Sequence, residues 1–270
     1  MSVKWWKLFG QKTTVGLALG GGSMRGVATV GVLKVLEKNH IPIHYISGTS
    51  AGSIAAAFWA AGKTAAEIEE IVLDLDWLRI ARFSFALQGL LNPDKLQKYM
   101  EDTLPIKYFH ETRIPLHISS SDLLSAREYV FGESQEEIAL AVAASCSVPG
   151  VFTPTKYQDK YLVDGCLVNN LPFSSLARHR PHVYLGVSVI PRGTMPAEPK
   201  HLFQVISRIY DIYELNNFTR YQKYKPLILE PLKEYVSPEI KPGKDFYHKL
   251  IQAGATETER LLTQIQKAVS

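Results

Sequence analysis

Hydrophobic positions along the chain fall into two alternating kinds of segment. The first is the short, nearly unbroken apolar run. Residues 14–19 (Thr14, Val15, Gly16, Leu17, Ala18, Leu19) form one, apolar throughout as a strand buried on both faces would be. Further strands are expected at 45–47, 116–121, 127–131, 160–164, 182–189 and 227–229. The second kind is the longer stretch with helical spacing. Residues 27–38 bury one side through Val30, Leu33, Val35 and Leu36. An Ala-rich helix is expected at 52–61, and another at 64–75, opened by Thr64 with Glu67 in a capping box. Asn92-Pro93-Asp94 opens a helix to about 102, Ser134 with Glu137 marks another that stops before Pro149, and Pro172 starts a third. Residues 201–221 carry Leu202, Val205, Ile206, Ile209, Ile212 and Tyr213 near helical spacing, and 245–267 form a terminal helix. Strands alternating with helices predict an α/β fold with a mostly parallel central sheet covered on both faces. No repeat or long linker divides it, so residues 13–270 are read as one domain behind an arm at 1–12.

Composition narrows the setting. The 270 residues are 46% hydrophobic and 21% charged, enough apolar material for a sizeable core. A net charge of +4 suits an anionic surface or substrate and is too weak to argue for nucleic acid. Cys146 and Cys166 read as reduced, buried thiols, and no apolar run has the length of a membrane span. The first ten residues lack the pattern of a signal peptide, which makes a cytoplasmic location the expectation, with peripheral contact at the inner face of the membrane. Two segments suit that contact. Trp5, Trp6, Leu8 and Phe9 lie among Lys4, Lys7 and Lys12, a mixture of membrane interfaces or of an arm packed on the domain. Residues 77–91, with Phe83 and Phe85 beside Arg79 and Arg82, read as a lid or acyl-contacting flap, or as a buried connection.

The chemistry centres on Ser50. Tyr45-Ile46 breaks into Gly48-Thr49-Ser50-Ala51-Gly52, and a helix-forming run follows. Strand, sharp turn and helix with a serine at the apex is the arrangement of a nucleophile elbow, with Gly48 and Gly52 where side chains would collide. The same residues also read as a plain turn. A second glycine-rich turn, Gly20-Gly21-Gly22-Ser23-Met24-Arg25-Gly26, follows the first strand. A dinucleotide site there needs an acid at the end of the next strand, and a phosphate loop needs Lys followed by Ser or Thr; neither is present. Backbone N–H groups that stabilise an oxyanion need a nucleophile close by, and a right-handed βαβ unit places Ser50 beside this loop. The late histidines His179, His182, His201 and His248 sit in no turn that reads as catalytic. Asp164 closes an apolar strand, Leu162-Val163, and precedes Gly165; a simple Asp-Gly turn is the plainer reading. Asp122 and Asp159 are weaker candidates. No metal-binding motif and no cofactor motif is present.

These three motifs, in this order, resemble the patatin-like phospholipase family, most closely its small bacterial members. The segments Ala144-Ser145-Cys146-Ser147-Val148-Pro149-Gly150 and Asp164-Gly165-Cys166-Leu167-Val168-Asn169-Asn170 are similar to that family as well. The resemblance implies a three-layer α/β/α sandwich and a lipid acyl hydrolase with a Ser-Asp dyad and no histidine. Carried over, Ser50 is the nucleophile, Asp164 the general base, and Gly21, Gly22, Ser23 and Met24 the oxyanion donors. Gly20, Arg25, Gly26, Gly48, Gly52 and Gly165 support the motifs. Ser23 stands where the family usually has a glycine, and Cys166 where it usually has Gly or Ala. A lipid-binding or regulatory protein of the same fold without activity is the alternative, and retention of both Ser50 and Asp164 counts against it.

Overall fold

The computed structural model describes residues 13–74, 83–86, 89–234, 236 and 243–270; for the short strands at 83–86 and 89–90 it describes the backbone. The expected arm with Trp5 and Trp6, and the side chains of Phe83 and Phe85, lie outside the described residues.

The first strand, β1 (Val15–Leu19), is buried along its whole length. Val15, Leu17 and Leu19 pack into the larger hydrophobic cluster and Ala18 into a smaller one. Alternate residues of a strand point to opposite faces, so both faces of the sheet are covered. The larger cluster lies under helices α1 (Ala28–Lys38), α2 (Ala51–Ala60), α3 (Ala65–Asp74), α4 (Asp94–Thr103), α5 (Ile138–Ser145) and the C-terminal α8 (Lys244–Val269). The smaller gathers Leu171, Phe173, Leu176 and Tyr221 around α6 (Phe173–Leu176) and the turn that follows α7 (Leu202–Asn217). The result is a three-layer α/β/α sandwich.

The central sheet runs β10 (Leu227–Leu229), β9 (Val183–Val187), β1, β2 (Tyr45–Thr49), β5 (Leu116–Asp122), β8 (Lys160–Asp164) and β7 (Thr155–Tyr157), and β6 (Arg127–Phe131) also pairs with β5. From β10 to β5 all neighbours are parallel. Beyond β5 the pairs are antiparallel: β5–β6 and β7–β8 are joined by tight hairpins, and β8 returns antiparallel to β5 after the intervening helix. Strands β3 (Phe83–Ala86) and β4 (Gly89–Leu91) make a separate antiparallel pair.

Local signals decide most helix starts. Thr64 Oγ1 accepts from the Glu67 amide at 3.2 Å and Glu67 Oε2 accepts from the Thr64 amide at 2.8 Å, the reciprocal capping box that the spacing predicts. The box expected at Ser134 does not form. Helix α5 begins at Ile138, because residues 136–138 are drawn into a bridge with the segment before them: Phe109 N–H donates to Glu136 O and Ile138 N–H to Lys107 O. The Glu136 carboxylate closes the preceding turn instead, accepting from the Gly132 and Glu133 amides at 2.8 and 2.9 Å.

Helix α7 is oriented against expectation for a surface helix. Ser207, Asp211 and Glu214 are buried, while Leu202, Val205, Ile209, Ile212 and Tyr213 are exposed. Apolar positions at helical spacing ordinarily mark the buried face.

One feature of the sheet sets up the site. Strand β6 occupies one edge of β5 from Ile118 to Asp122, so β2 and β8 must share the other edge. Parallel β2 ends at Thr49 opposite Ser119, and antiparallel β8 ends at Asp164 opposite Ser120. The two strands run toward each other and meet tip to tip.

Candidate active site

Ser50 follows the tip of β2 and Asp164 is the tip of β8. Ser50 Oγ donates to Asp164 Oδ2 at 2.7 Å, with both residues buried. Ser50 has φ 51° and ψ −128°, a strained conformation for a residue with a side chain, worth about 1–3 kcal/mol. Its neighbours hold it there. The Ser50 amide donates to Ser145 Oγ at 2.8 Å, Ser145 Oγ donates to Ser119 O at 2.6 Å, and Ser53 Oγ donates to Ser50 O at 2.6 Å. The flanking glycines are needed for packing. A Cβ on Gly48 would lie 2.6 Å from Gly52 O, and one on Gly52 would strike Leu19 O.

Asp164 is fixed at each of its polar atoms. Oδ1 accepts from the Cys166 amide at 2.9 Å, its carbonyl accepts from Ser121 Oγ at 2.8 Å, and its amide donates to Ser147 O at 2.9 Å. No Asp-Gly hairpin forms; residues Gly165–Leu167 make a 3₁₀ turn that Asp164 caps. Burial raises the Asp164 carboxyl above the ordinary carboxylate range, and the bonds from Cys166 and Ser50 partly offset it. The Cys166 thiol is pushed well up by burial and by Asp164 beside it, so it stays a neutral thiol.

The glycine-rich loop reaches the same place. Gly20 N–H donates to Val187 O at 2.9 Å, and the loop turns into a 3₁₀ helix over Ser23–Val27. Its first internal bond is Arg25 N–H to Gly22 O, so the amides of Gly22, Ser23 and Met24 precede any intrahelical acceptor. Gly21, Gly22 and Ser23 line the cleft over Ser50, and the Met24 side chain packs into the core. The Gly21 amide is already engaged, donating to Asn170 Oδ1 at 2.7 Å, and Asn170 Oδ1 also accepts from Cys166 Sγ at 3.1 Å. Ser23 sits at φ 57°, the left-handed region that favours glycine, where the family usually has one.

Arg25 is buried beneath this loop. Its Nε donates to Gly22 O at 3.1 Å, and its two terminal nitrogens clamp Asp211 of α7 at 3.0 and 2.7 Å. Helix α7 forms the opposite wall of the cleft through Phe203, Ile206 and Tyr210. Tyr210 Oη and Asn170 Nδ2 are buried with no hydrogen-bond partner among the described residues. The sequence reading missed α7, Asn170 and Ser145 as parts of the site. The spacing of Ser207, Asp211 and Glu214, polar at i, i+4 and i+7 in an apolar stretch, was the available signal for α7.

The other candidates lie elsewhere. Asp122 caps the β5–β6 turn, accepting from Leu124 N–H and Ser125 Oγ, and Asp159 pairs with Lys160 at the surface. No histidine lines the cleft among the described residues. His179 Nε2 lies 2.7 Å from His117 Nε2 and its ring stacks on Tyr45; His182 bonds Thr14; His201 caps α7; His248 is exposed on α8.

The patatin-like phospholipase family model matches residues 17–177, which include every motif of the site. The chain belongs to that family. It is 26% identical to the uncharacterized protein YqhO of Bacillus subtilis, over 90% of this chain and 96% of that one. An uncharacterized NTE family protein of Mycobacterium tuberculosis strain H37Rv is 28% identical over 68% of this chain and 51% of its own, so this patatin-like chain spans about half of that relative. Among solved structures, VipD from Legionella pneumophila superposes with a TM-score of 0.65 at 12% identity, covering 94% of this chain and 67% of that one. Human GIVD cytosolic phospholipase A2, solved with methyl gamma-linolenyl fluorophosphonate, gives 0.56 at 11% identity, covering 96% and 58%. At these identities the likeness shows the fold.

Proposed function

We infer that this patatin-like chain is a serine acyl hydrolase that cleaves carboxylic ester bonds of lipids, phospholipid or lysophospholipid, through a Ser50–Asp164 dyad. The observation that carries the reading is the 2.7 Å bond from Ser50 Oγ to Asp164 Oδ2 beneath the glycine-rich loop. Asp164 takes the hydroxyl proton as Ser50 Oγ attacks the ester carbonyl. The amides of Gly22 and Ser23 hold the tetrahedral oxyanion, while the bond from Gly21 to Asn170 fixes the loop. Asp164 then gives the proton to the leaving alcohol. Water repeats the sequence on the acyl-enzyme and releases the fatty acid. The catalytic domain comprises residues 13–270. The protein works in the cytoplasm, in peripheral contact with the inner face of the membrane, and Trp5, Trp6, Phe83 and Phe85 contribute aromatic rings to that contact.

An alkyl fluorophosphonate tests the reading. It is expected to add its mass to the peptide containing Ser50, in excess chelator as well as without it, since backbone amides and a carboxylate carry the chemistry. Ser50→Ala should stay unlabelled. A folded protein that takes no label at Ser50 would overturn the assignment.

Acid inactivation gives a second test. The base must be ionised to act, and Asp164 has its pKa raised by burial. Soluble-ester kcat/KM should therefore fall on the acid side with a limb above the ordinary value of about 3.9. A rate that stays flat down to that value would mean that Asp164 is not the base.

A further inference from the structure

Helix α7 carries its apolar side chains on the wrong face for a protein surrounded by water alone. Leu202 is 59% exposed, Ile209 57% and Ile212 51%, with Val205 and Tyr213 beside them. Positions 202, 205, 209, 212 and 213 form one stripe along the helix. The charged residues of α7 turn away from it: Asp211 and Glu214 are buried, and Arg208 is mostly buried beside Asp211. The stripe runs over the whole 16-residue helix, about 24 Å.

What the stripe would dock on is written in the charges around it. Within and after α7 both acids are buried and the exposed charges are Lys223 and Lys225; before it Lys200 is exposed, two residues from the exposed Glu198. An apolar stripe holding a tyrosine, free of exposed acids and followed by two exposed lysines, is complementary to an anionic lipid surface. Its apolar side chains enter the acyl boundary, Tyr213 suits the headgroup zone, and each lysine adds on the order of 1 kcal/mol near the surface. The flank of the same helix next to the stripe lines the cleft through Phe203, Ile206 and Tyr210. A bilayer on the stripe would thus lie against the same helix that walls the cleft.

We propose that the exposed stripe of α7 is a docking surface for anionic membranes, beyond the aromatic segments named above, and that it holds the cleft of Ser50 at the bilayer. The proposal rests on the lipid hydrolase reading for its purpose, but the docking can be measured without it. Wild type, the double variant Ile209→Ser/Ile212→Ser, and Leu124→Ser are compared. Leu124, 69% exposed on the β5–β6 turn, controls for the loss of an exposed leucine anywhere on the surface. Each is sedimented with phosphatidylglycerol vesicles and with phosphatidylcholine vesicles, assayed on a short soluble ester, and sized by light scattering.

Wild type should bind phosphatidylglycerol vesicles more tightly than phosphatidylcholine ones. The double variant should lose about ten-fold or more of that binding from its smaller buried apolar area. Its hydrolysis of vesicle lipid should fall in step while soluble-ester turnover and mass in solution stay unchanged, and Leu124→Ser should bind as wild type. Equal vesicle binding by wild type and the double variant would overturn the proposal. So would a wild-type dimer that the double variant converts to monomer, which would make the stripe a subunit interface. If binding depends on the stripe but no ester of either kind is hydrolysed, the docking surface stands and the hydrolase reading falls.

Discussion

Ser50→Ala and Asp164→Asn are each expected to lower ester turnover by about four orders of magnitude or more, and the double variant little further, as members of the proposed dyad acting as one unit would. Ser50 Oγ has Asp164 Oδ2 as its acceptor at 2.7 Å, and no histidine lines the cleft among the described residues. Without the carboxylate, the hydroxyl has nowhere to send its proton. Neither change should unfold the protein. Asp164 has its pKa raised by burial, so its folded-state pKa lies above the unfolded one. Such a group favours folding while protonated, below the unfolded value, and that contribution is lost as pH rises through the folded value. At neutral pH the buried carboxylate is therefore held at a cost. Asn, neutral and of the same shape, can still accept the Cys166 amide, so Asp164→Asn should melt no lower than wild type at pH 7. Retained turnover in a folded Asp164→Asn protein would remove the dyad from the mechanism. A clear fall in melting temperature would make the loss of activity one of folding.

Much of this architecture could be read from the chain because its signals are local. The buried run of β1, the capping box at Thr64 and the glycines around Ser50 act within a few residues of themselves, and each appears where its chemistry requires. The pairing of Ser50 with Asp164 is not local. It needs β2 and β8 to meet tip to tip on one edge of β5, and the antiparallel half of the sheet that brings β8 there has no signature in periodicity. The helix after Ser134 starts later than its capping pattern predicts for a related reason: a backbone bridge between Glu137 and Tyr108, distant in sequence, competes with the cap. The inversion of α7 is hidden in the same way. Its apolar spacing predicts a helix correctly, but the buried face is set by Arg25, 186 residues earlier, which fixes Asp211 inward.

Arg25 is 1% exposed and Asp211 0%, and the pair joins the glycine-rich loop to α7. Arg25→Met should destabilise the protein by about 3–5 kcal/mol, measured by denaturant titration, because it takes two short charge-assisted bonds from the buried Asp211 and leaves it the longer contact to Arg208. The nearest other cation, Arg208, stands 3.7 Å from Asp211. Arg25→Met with Asp211→Leu removes both charges and fills the same space with apolar atoms. Buried pairs replaced in this way are often neutral or gain stability, so the double variant should return to within about 1 kcal/mol of wild type or exceed it. Its turnover should not return. Arg25 Nε is also the donor that holds the Gly22 carbonyl at 3.1 Å, and so orients the peptide whose neighbouring amides are proposed to meet the oxyanion. Loss of that tether should lower kcat by about 100-fold while KM for a soluble ester changes little, since oxyanion stabilisation acts in the transition state. Arg25 is then a positioning residue as well as half of an ion pair. Full kcat in a stable double variant would reduce it to the structural role alone.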